Sequence, residues 1–228
     1  MTGWSEIICD YARLFINDER MTDKLKNNPA RFLREMSLYM RSAIPRFNRP
    51  PEIVQWLKLG TEPKYDSFLW TATADGAATV LTEKTGYELC SVVVRGTDRC
   101  GNITETPFPG AYDPETGAVT LDGVTEGAVF DMDFYTDGYF DNELTQEMKR
   151  LLGLCVQSVW ENRFTSEWLP RAAKVTDRSF TPPNEANWTR AQEEKRRSLE
   201  TTLNEELRQY ESNCAYMRTV GGVRGAFL

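Results

Sequence analysis

The sequence predicts an α+β fold: a helical N-terminal segment, a small antiparallel β sandwich or barrel, and then two helices, the last of them long. Apolar residues recur at helical spacing before residue 60 and after residue 141, and short β-rich runs fill the region between them. No helix-length pattern separates these runs, so a parallel α/β sheet is not expected. The predicted segments are 1–60 (N-terminal helices), 61–140 (antiparallel β domain), 141–218 (C-terminal helices) and 219–228 (flexible tail).

Two helices are predicted in the N-terminal segment. The first spans residues near 3–17, where apolar side chains form one stripe. The second begins at Asn28 and Pro29, a pair that is typical of an N-cap followed by the first helical position. It should end before Pro45, because the residue that precedes a proline avoids helical geometry. Residues 45–51 then form a stiff connector.

The β domain is predicted from short runs that are rich in valine, threonine and aromatic residues over residues 65–135. About five to seven strands fit into this length, which is typical of a small sandwich or barrel. Asp113-Pro114-Glu115-Thr116-Gly117 has the residues of a hairpin turn.

Residues 130–164 change their hydrophobic period partway along. The first part predicts a strand with one buried face, on which apolar residues alternate with polar ones: Phe130, Met132 and Phe134 against Asp131, Asp133 and Tyr135. The second part predicts an amphipathic helix over residues 142–165, with Asp141 or Asn142 as its N-cap. A last, long helix runs to about Arg218 with a narrow apolar stripe, so it should pack along one edge.

Composition excludes several classes of function. The chain has 228 residues, with 27 lysines and arginines against 34 acidic residues, and it contains no histidine. A net charge of −7 makes it a poor general nucleic-acid binder. The lack of histidine rules out Ser-His-Asp and Cys-His nucleophile systems within the chain. No apolar run approaches about 20 residues, so no membrane span is expected, and the first residues do not resemble a signal peptide. No nucleotide-binding glycine motif occurs, and no cofactor is expected.

One constellation resembles a functional site, and it is acidic: Asp131, Asp133, Asp137 and Asp141. An EF-hand does not fit, because its fifth and sixth positions would be Tyr135 and Thr136 instead of an oxygen ligand and glycine. A different divalent-metal site on Asp131, Asp133 and Asp137 and a glycosidase-type carboxylate pair both stay open. The favoured interpretation is structural, with a turn at Asp137-Gly138 and a helix cap after it.

Two stretches resemble tailed-bacteriophage neck proteins, which connect the portal of the head to the tail. They are MSLYMRSAIPRFNRPPE, residues 36–52, and residues 130–164 with their strand, Asp-Gly turn and amphipathic helix. The resemblance implies a non-enzymatic virion protein, assembled in the host cytoplasm, with no catalytic residues to carry over. It further implies a homo-oligomeric ring that contacts the portal and the tail or other neck proteins. DNA would pass through that ring without sequence-specific binding.

The C-terminus is the predicted partner-binding segment, because it combines glycines with apolar residues: Val220, Val223, Ala226, Phe227 and Leu228. Such a segment can become ordered when it docks on an adjacent subunit or on the portal. The first alternative function is a tail-tip or receptor- or glycan-binding module, which glycan binding by the 62–140 fragment would favour. The second is a metal-dependent hydrolase on the acidic cluster, which metal calorimetry would detect.

Overall fold

The computed structural model describes residues 1–16, 19–98, 100–172 and 185–221. It has the α+β fold that the sequence predicts. The chain divides into two compact units, which we name the helical unit and the sandwich unit. The helical unit comprises Met1–Asn17, Ser37–Gly60 and Phe140–Leu228, and the sandwich unit comprises Asp18–Met36 and Thr61–Tyr139. The segment boundaries drawn from the sequence stay a prediction.

The elements follow one another in a helix–strand–helix order. In chain order they are β1 (Thr2–Gly3), α1 (Trp4–Glu6), a π-helical segment (Ile7–Ala12), α2 (Arg13–Ile16), α3 (Glu19–Asn27), α4 (Pro29–Ala43), a 3-10 turn (Ile44–Arg46), α5 (Ile53–Trp56), β2 (Leu59–Thr61), β3 (Lys64–Thr71), β4 (Gly76–Leu81), β5 (Glu88–Thr97), β6 (Ile103–Pro107), β7 (Gly110–Asp113), β8 (Ala118–Val124), β9 (Val129–Thr136), β10 (Tyr139–Phe140), α6 (Gln146–Ala172) and α7 (Glu185–Gly221).

The start and end predicted for the second N-terminal helix are confirmed. The side-chain oxygen of Asn28 accepts a hydrogen bond from the backbone N–H of Arg31 at 2.9 Å, which satisfies one of the donors that a helix start leaves open. Helix α4 ends at Ala43, before Pro45. Helix α3 was not predicted, because its sequence, ERMTDKLKN, is mostly charged and polar.

The sandwich unit contains two antiparallel sheets, with strand orders β3-β9-β5-β6 and β4-β8-β7. Their inner faces share one apolar core, with Val92, Phe130, Met132 and Phe134 from the first sheet and Val80, Val119 and Leu121 from the second. The predicted hairpin turn joins β7 to β8. Gly117 adopts φ +70° there, and its N–H donates to the carbonyl of Asp113 at 2.8 Å.

Strand β9 differs from its prediction in one respect. Its apolar face lies in the sandwich core, but Asp131 and Asp133 on the other face are also buried, at 5% and 3% exposure. The prediction of a single buried face was therefore wrong. Side chains from the chain segment that contains α3 and the start of α4 lie against this outer face, as the hydrogen bond from Asn28 to Asp133 shows. A two-residue period cannot reveal such a second cover.

The helical unit is built around α6, whose apolar residues are fully buried: Met148, Leu151, Leu152, Cys155 and Val156. The prediction of Asp141 or Asn142 as its N-cap was wrong. The N-cap is Thr145, whose hydroxyl accepts a hydrogen bond from the backbone N–H of Met148 at 3.3 Å. Asn142 instead donates to the carbonyl of Gln55 at 3.1 Å. Asp141 forms an ion pair with Lys58 at 3.0 Å.

Helix α7 packs through the narrow stripe that the sequence predicts. Leu203 and Leu207 are buried, and most other described side chains from residue 190 to residue 216 are partly or fully exposed. Ion pairs reinforce its contact with α6, namely Arg150–Glu206 and Lys195–Glu161, both at 2.6 Å. Among the described residues, no helix is long and apolar enough to cross a lipid bilayer.

Gly153 lets α6 approach the π-helical segment very closely. A Cβ atom at this position would lie 2.8 Å from Cβ of Tyr11 and 3.2 Å from the backbone N of Ala12. Both of these atoms belong to the backbone framework or lie next to it, so neither can swing away as the end of a long side chain can. The position therefore accepts only glycine without a shift of one helix.

Replacement of Gly153 by alanine should lower the free energy of unfolding. Overpacking costs about 1–3 kcal/mol, which outweighs the gain of up to about 1 kcal/mol in helix propensity. Chemical denaturation of the full chain measures the difference. The exposed helical substitution Thr201→Ala is the matched control, since it gains propensity without a close contact. Stabilisation by Gly153→Ala would show that the helices do not meet as tightly as described.

Candidate functional site

The three metal-ligand candidates of the sequence, Asp131, Asp133 and Asp137, lie on the outer face of the four-stranded sheet or just past the end of β9. Asp131 and Asp133 follow each other on that face of β9, opposite the sandwich core. Asp137 comes after the end of β9 and accepts a hydrogen bond from the hydroxyl of Tyr135 at 3.1 Å. The strand alternation therefore brings two of the three candidates to one surface, and the third lies past the strand end.

Asp133 is an acceptor for three side-chain donors of the sandwich unit. The hydroxyl of Tyr65 on β3 donates to its Oδ1 at 2.5 Å, while Asn28 and Ser91 donate to its Oδ2 at 2.9 and 3.1 Å. Asn28 thus has two functions, because its oxygen caps α4 while its nitrogen binds Asp133. A buried carboxylate with three hydrogen bonds is well compensated for the loss of water.

Asp131 forms an ion pair with Arg95 on the neighbouring strand β5. One oxygen of Asp131 carries the contact, and its other oxygen and Nε of Arg95 are buried without hydrogen-bond partners. Both unmatched atoms belong to the same ion pair, which therefore has one direct contact where a full arginine–carboxylate pair has two. This geometry is typical of a structural pair that links two strands.

Tyr65 lies between the carboxylate of Asp133 and an arginine of helix α4. The guanidinium carbon of Arg34 sits 4.6 Å from the centroid of the Tyr65 ring, within the range of a cation–π contact. Burial and, next, the hydrogen bond to Asp133 raise the pKa of Tyr65 to about 12. Its phenol is therefore held as a donor at any physiological pH.

A cleft of about 680 Å³ lies between α3 and the first part of α4 on one side and the strands β5 and β6 on the other. It is lined by charged residues of both signs around a few apolar ones: Asp23, Lys24, Asn28, Arg31, Phe32, Glu35, Val93, Glu105 and Pro107. Lys24 and Glu35 neutralise each other in an ion pair at 2.8 Å. Three of the lining side chains are acidic and two are basic, so the charges nearly balance and the cleft has no strong preference for an anion or a cation.

The carboxylates of this face act as hydrogen-bond acceptors for the protein itself. Among the described residues, no group of three or more histidine, cysteine, aspartate or glutamate side chains is arranged to hold a metal ion. The partners of Asp131 and Asp133 were not foreseen from the sequence, because Tyr65, Ser91 and Arg95 lie far away along the chain. Asn28 was recognised as a helix cap, and nothing local indicated its second bond.

The predicted partner-binding tail lies almost entirely outside the described residues. Val223, Ala226, Phe227 and Leu228 are beyond the last of them, and Val220 lies near the end of α7, where side chains are not described. The tail therefore stays a prediction.

Comparisons with known proteins do not assign the chain to a family. The sequence matches no protein-family model and none of the curated proteins. Among solved structures, the chain is similar to a chain from the neck of an empty GTA particle computed with C6 symmetry, at 16% identity and a TM-score of 0.24. The likeness covers 57% of this chain and 67% of the other. A TM-score this low supports no inference on fold or function.

Replacement of Asp133 by alanine should destabilise the sandwich unit by about 3 kcal/mol, because three donors lose a charged acceptor in a buried site. Asp122→Ala, at an exposed position of β8, is the matched control and should change stability by less than about 0.5 kcal/mol. Equilibrium unfolding in urea measures both variants. Equal effects would mean that the Asp133 bonds contribute nothing to stability.

The titration of Tyr65 gives a second prediction. Its pKa in the folded chain is about 12, above the ordinary value of 10.0, so the protonated phenol is favoured by folding. The resulting stability is fully present below pH 10 and is lost as the pH rises through 12. Phenolate absorbance of the wild type minus that of Tyr65→Phe should therefore show a transition near pH 12. A transition near pH 10 would contradict the described hydrogen bond.

Proposed function

We propose that the chain is a non-enzymatic structural protein of a phage-type virion, which forms a homo-oligomeric ring in the neck. The ring joins the portal to the tail, contacts both or other neck proteins, and lines the channel for DNA. The main support is the resemblance of residues 36–52 and 130–164 to neck proteins. Both stretches contribute to the helical unit, where they lie in contact.

The contact between these stretches is direct. Arg46, in the 3-10 turn after α4, donates to the hydroxyl of Ser158 on α6 at 2.8 Å. Residues of both stretches are fully buried in the helical unit, among them Met40, Phe47, Leu151 and Cys155. The helical parts of the two stretches that resemble neck proteins thus pack together within the helical unit.

Two further features favour a structural role. The buried carboxylates Asp131 and Asp133 are engaged in bonds that hold elements together, which leaves them unsuited to hydrolysis. Helix α7 packs on its own chain through a narrow apolar stripe, and the rest of its described surface is largely exposed and open to a neighbouring copy. A net charge of −7 suits the wall of a DNA channel, because it repels phosphate groups.

The purified full chain should assemble into a closed ring. Native mass measurement should give a single multiple of 26.1 kDa, and negative-stain imaging of the same sample should show a central hole. A chain that stays monomeric at high concentration would overturn the proposal. A ring whose channel surface carried mainly lysine and arginine would contradict the proposed passage of DNA.

Deletion of residues 219–228 should weaken assembly while the monomer stays folded, because the apolar tail is proposed to dock on a neighbouring subunit or the portal. Phe227→Ser with Leu228→Ser should have the same effect, whereas Arg224→Gln, which keeps the apolar residues, should not. Circular dichroism and the yield of assembled particles measure the two properties separately. An unchanged yield after the deletion would exclude the tail from assembly.

A further inference from the structure

We propose that the four-stranded sheet continues from one copy of the chain to the next, through antiparallel pairing of β6 with β3 of the neighbouring copy. The inference rests on the proposed ring and names the surface that joins its subunits. Among the described residues, β3 pairs with β9 alone and β6 with β5 alone, so both edges of the sheet are open.

The backbone of β6 presents defined residues to its open edge. On either side of the strand, Phe108 N donates to the carbonyl of Val92 and Asp98 N to that of Asn102, each at 2.9 Å. Antiparallel bonding alternates, so the even-numbered residues of β6 bond β5. The odd-numbered residues Ile103 and Glu105 therefore direct their backbone groups outward.

The same alternation holds at β3. Ala72 N donates to the carbonyl of Ala128 at 2.9 Å, and the β3–β9 register continues this pairing along the strand. The even-numbered residues of β3 thus bond β9, and Tyr65, Ser67 and Leu69 direct their backbone groups outward. Their side chains share the outer face of the sheet with those of Asp131 and Asp133.

The even number of strands makes the two edges compatible. With four antiparallel strands, β3 and β6 run in opposite directions, and the outward residues of both carry their side chains on the outer face. A second copy can therefore continue the sheet in the same orientation, as a head-to-tail ring requires. The three-stranded sheet of the sandwich unit lacks this property, because its edge strands β4 and β7 run in the same direction.

The side chains favour one register of the new pair. Ile103 is 72% exposed and Leu69 is 56% exposed, and they lie on opposite edges of the same sheet face. Pairing of Ile103 with Leu69 covers both, and it places Glu105 opposite Ser67. The N–H of Ser67 already donates to Asp66 at 2.9 Å, so Ser67 supplies its carbonyl to Glu105.

Cross-linking tests the register. Two full-length variants, Ile103→Cys and Leu69→Cys, are made with Cys100→Ser and mixed before assembly and mild oxidation. Facing residues in such a pair are about 5.5 Å apart between Cα atoms, which suits a disulfide. Covalent dimers should form in the mixture. They should not form when Leu81→Cys, on β4 of the other sheet and 69% exposed, replaces Ile103→Cys.

A proline tests the backbone pairing. Glu105→Pro removes an N–H that points to the open edge and leaves the bonds to β5 intact, so circular dichroism should match the wild type. The protein concentration at which half of the chains are assembled should rise about tenfold, which corresponds to about 1.4 kcal/mol per junction. Complete loss of assembly would also support the pairing. Glu105→Ala keeps the N–H and should assemble normally.

The outcomes separate this inference from the ring itself. Rings that form with Glu105→Pro, or that give no cross-link between positions 103 and 69, would overturn the strand pairing and leave the ring standing. A wild-type chain that forms no rings, together with cysteine variants that form no covalent dimers, would overturn both. Should the proline variant unfold, the cross-linking result alone decides.

Discussion

The burial of strand β9 on both faces is the constraint on which the sandwich unit depends. One face supplies the apolar core with Phe130, Met132 and Phe134, and the other places two carboxylates out of contact with water. An unpaired buried charge costs several kcal/mol, so the elements around β9 are held where their donors reach Asp131 and Asp133. The positions of β3, β5 and the start of α4 follow from this requirement, since each supplies one of the donors.

The helical unit depends on a steric constraint. Helix α6 can bury its apolar stripe fully only because Gly153 allows the N-terminal helical segment to approach within contact of its backbone. The adjoining π-helical turns lie at this approach, between Ile7 and Ala12. Lys149 is also buried there, and it is compensated by Glu6 at 2.7 Å. Polar and apolar groups of the same helix thus fix one arrangement of these elements.

Local chemistry was the part of the fold that could be predicted from the sequence. The cap at Asn28, the turn at Asp113–Gly117 and the narrow stripe of α7 each depend on residues within a few positions of one another. The partners of Asp131 and Asp133 could not be predicted, since Tyr65 and Arg95 meet them only through the sheet register. For the same reason an acidic cluster that resembled a metal site in the sequence consists, in the fold, of separately bonded carboxylates. Asp141 and Asn142 were misassigned as caps because Thr145, about one turn later, also has a side-chain oxygen that can accept a hydrogen bond from the helix start.

Open sheet edges are hazardous for any protein, because they can pair with unrelated strands. The edges of the four-stranded sheet carry features that restrict such pairing: Pro107 has no N–H, Glu105 places a charge on β6, and Asp66 occupies the N–H of Ser67. These features disfavour pairing at their own positions, while Ile103 and Leu69 are exposed apolar residues that a partner strand can cover. An edge with restricted pairing and matched apolar residues is suited to a copy of the same chain, in which the complementary edge has the required direction and face. The same sheet whose centre is fixed by buried carboxylates would then provide, at its margins, the specificity that a closed ring needs.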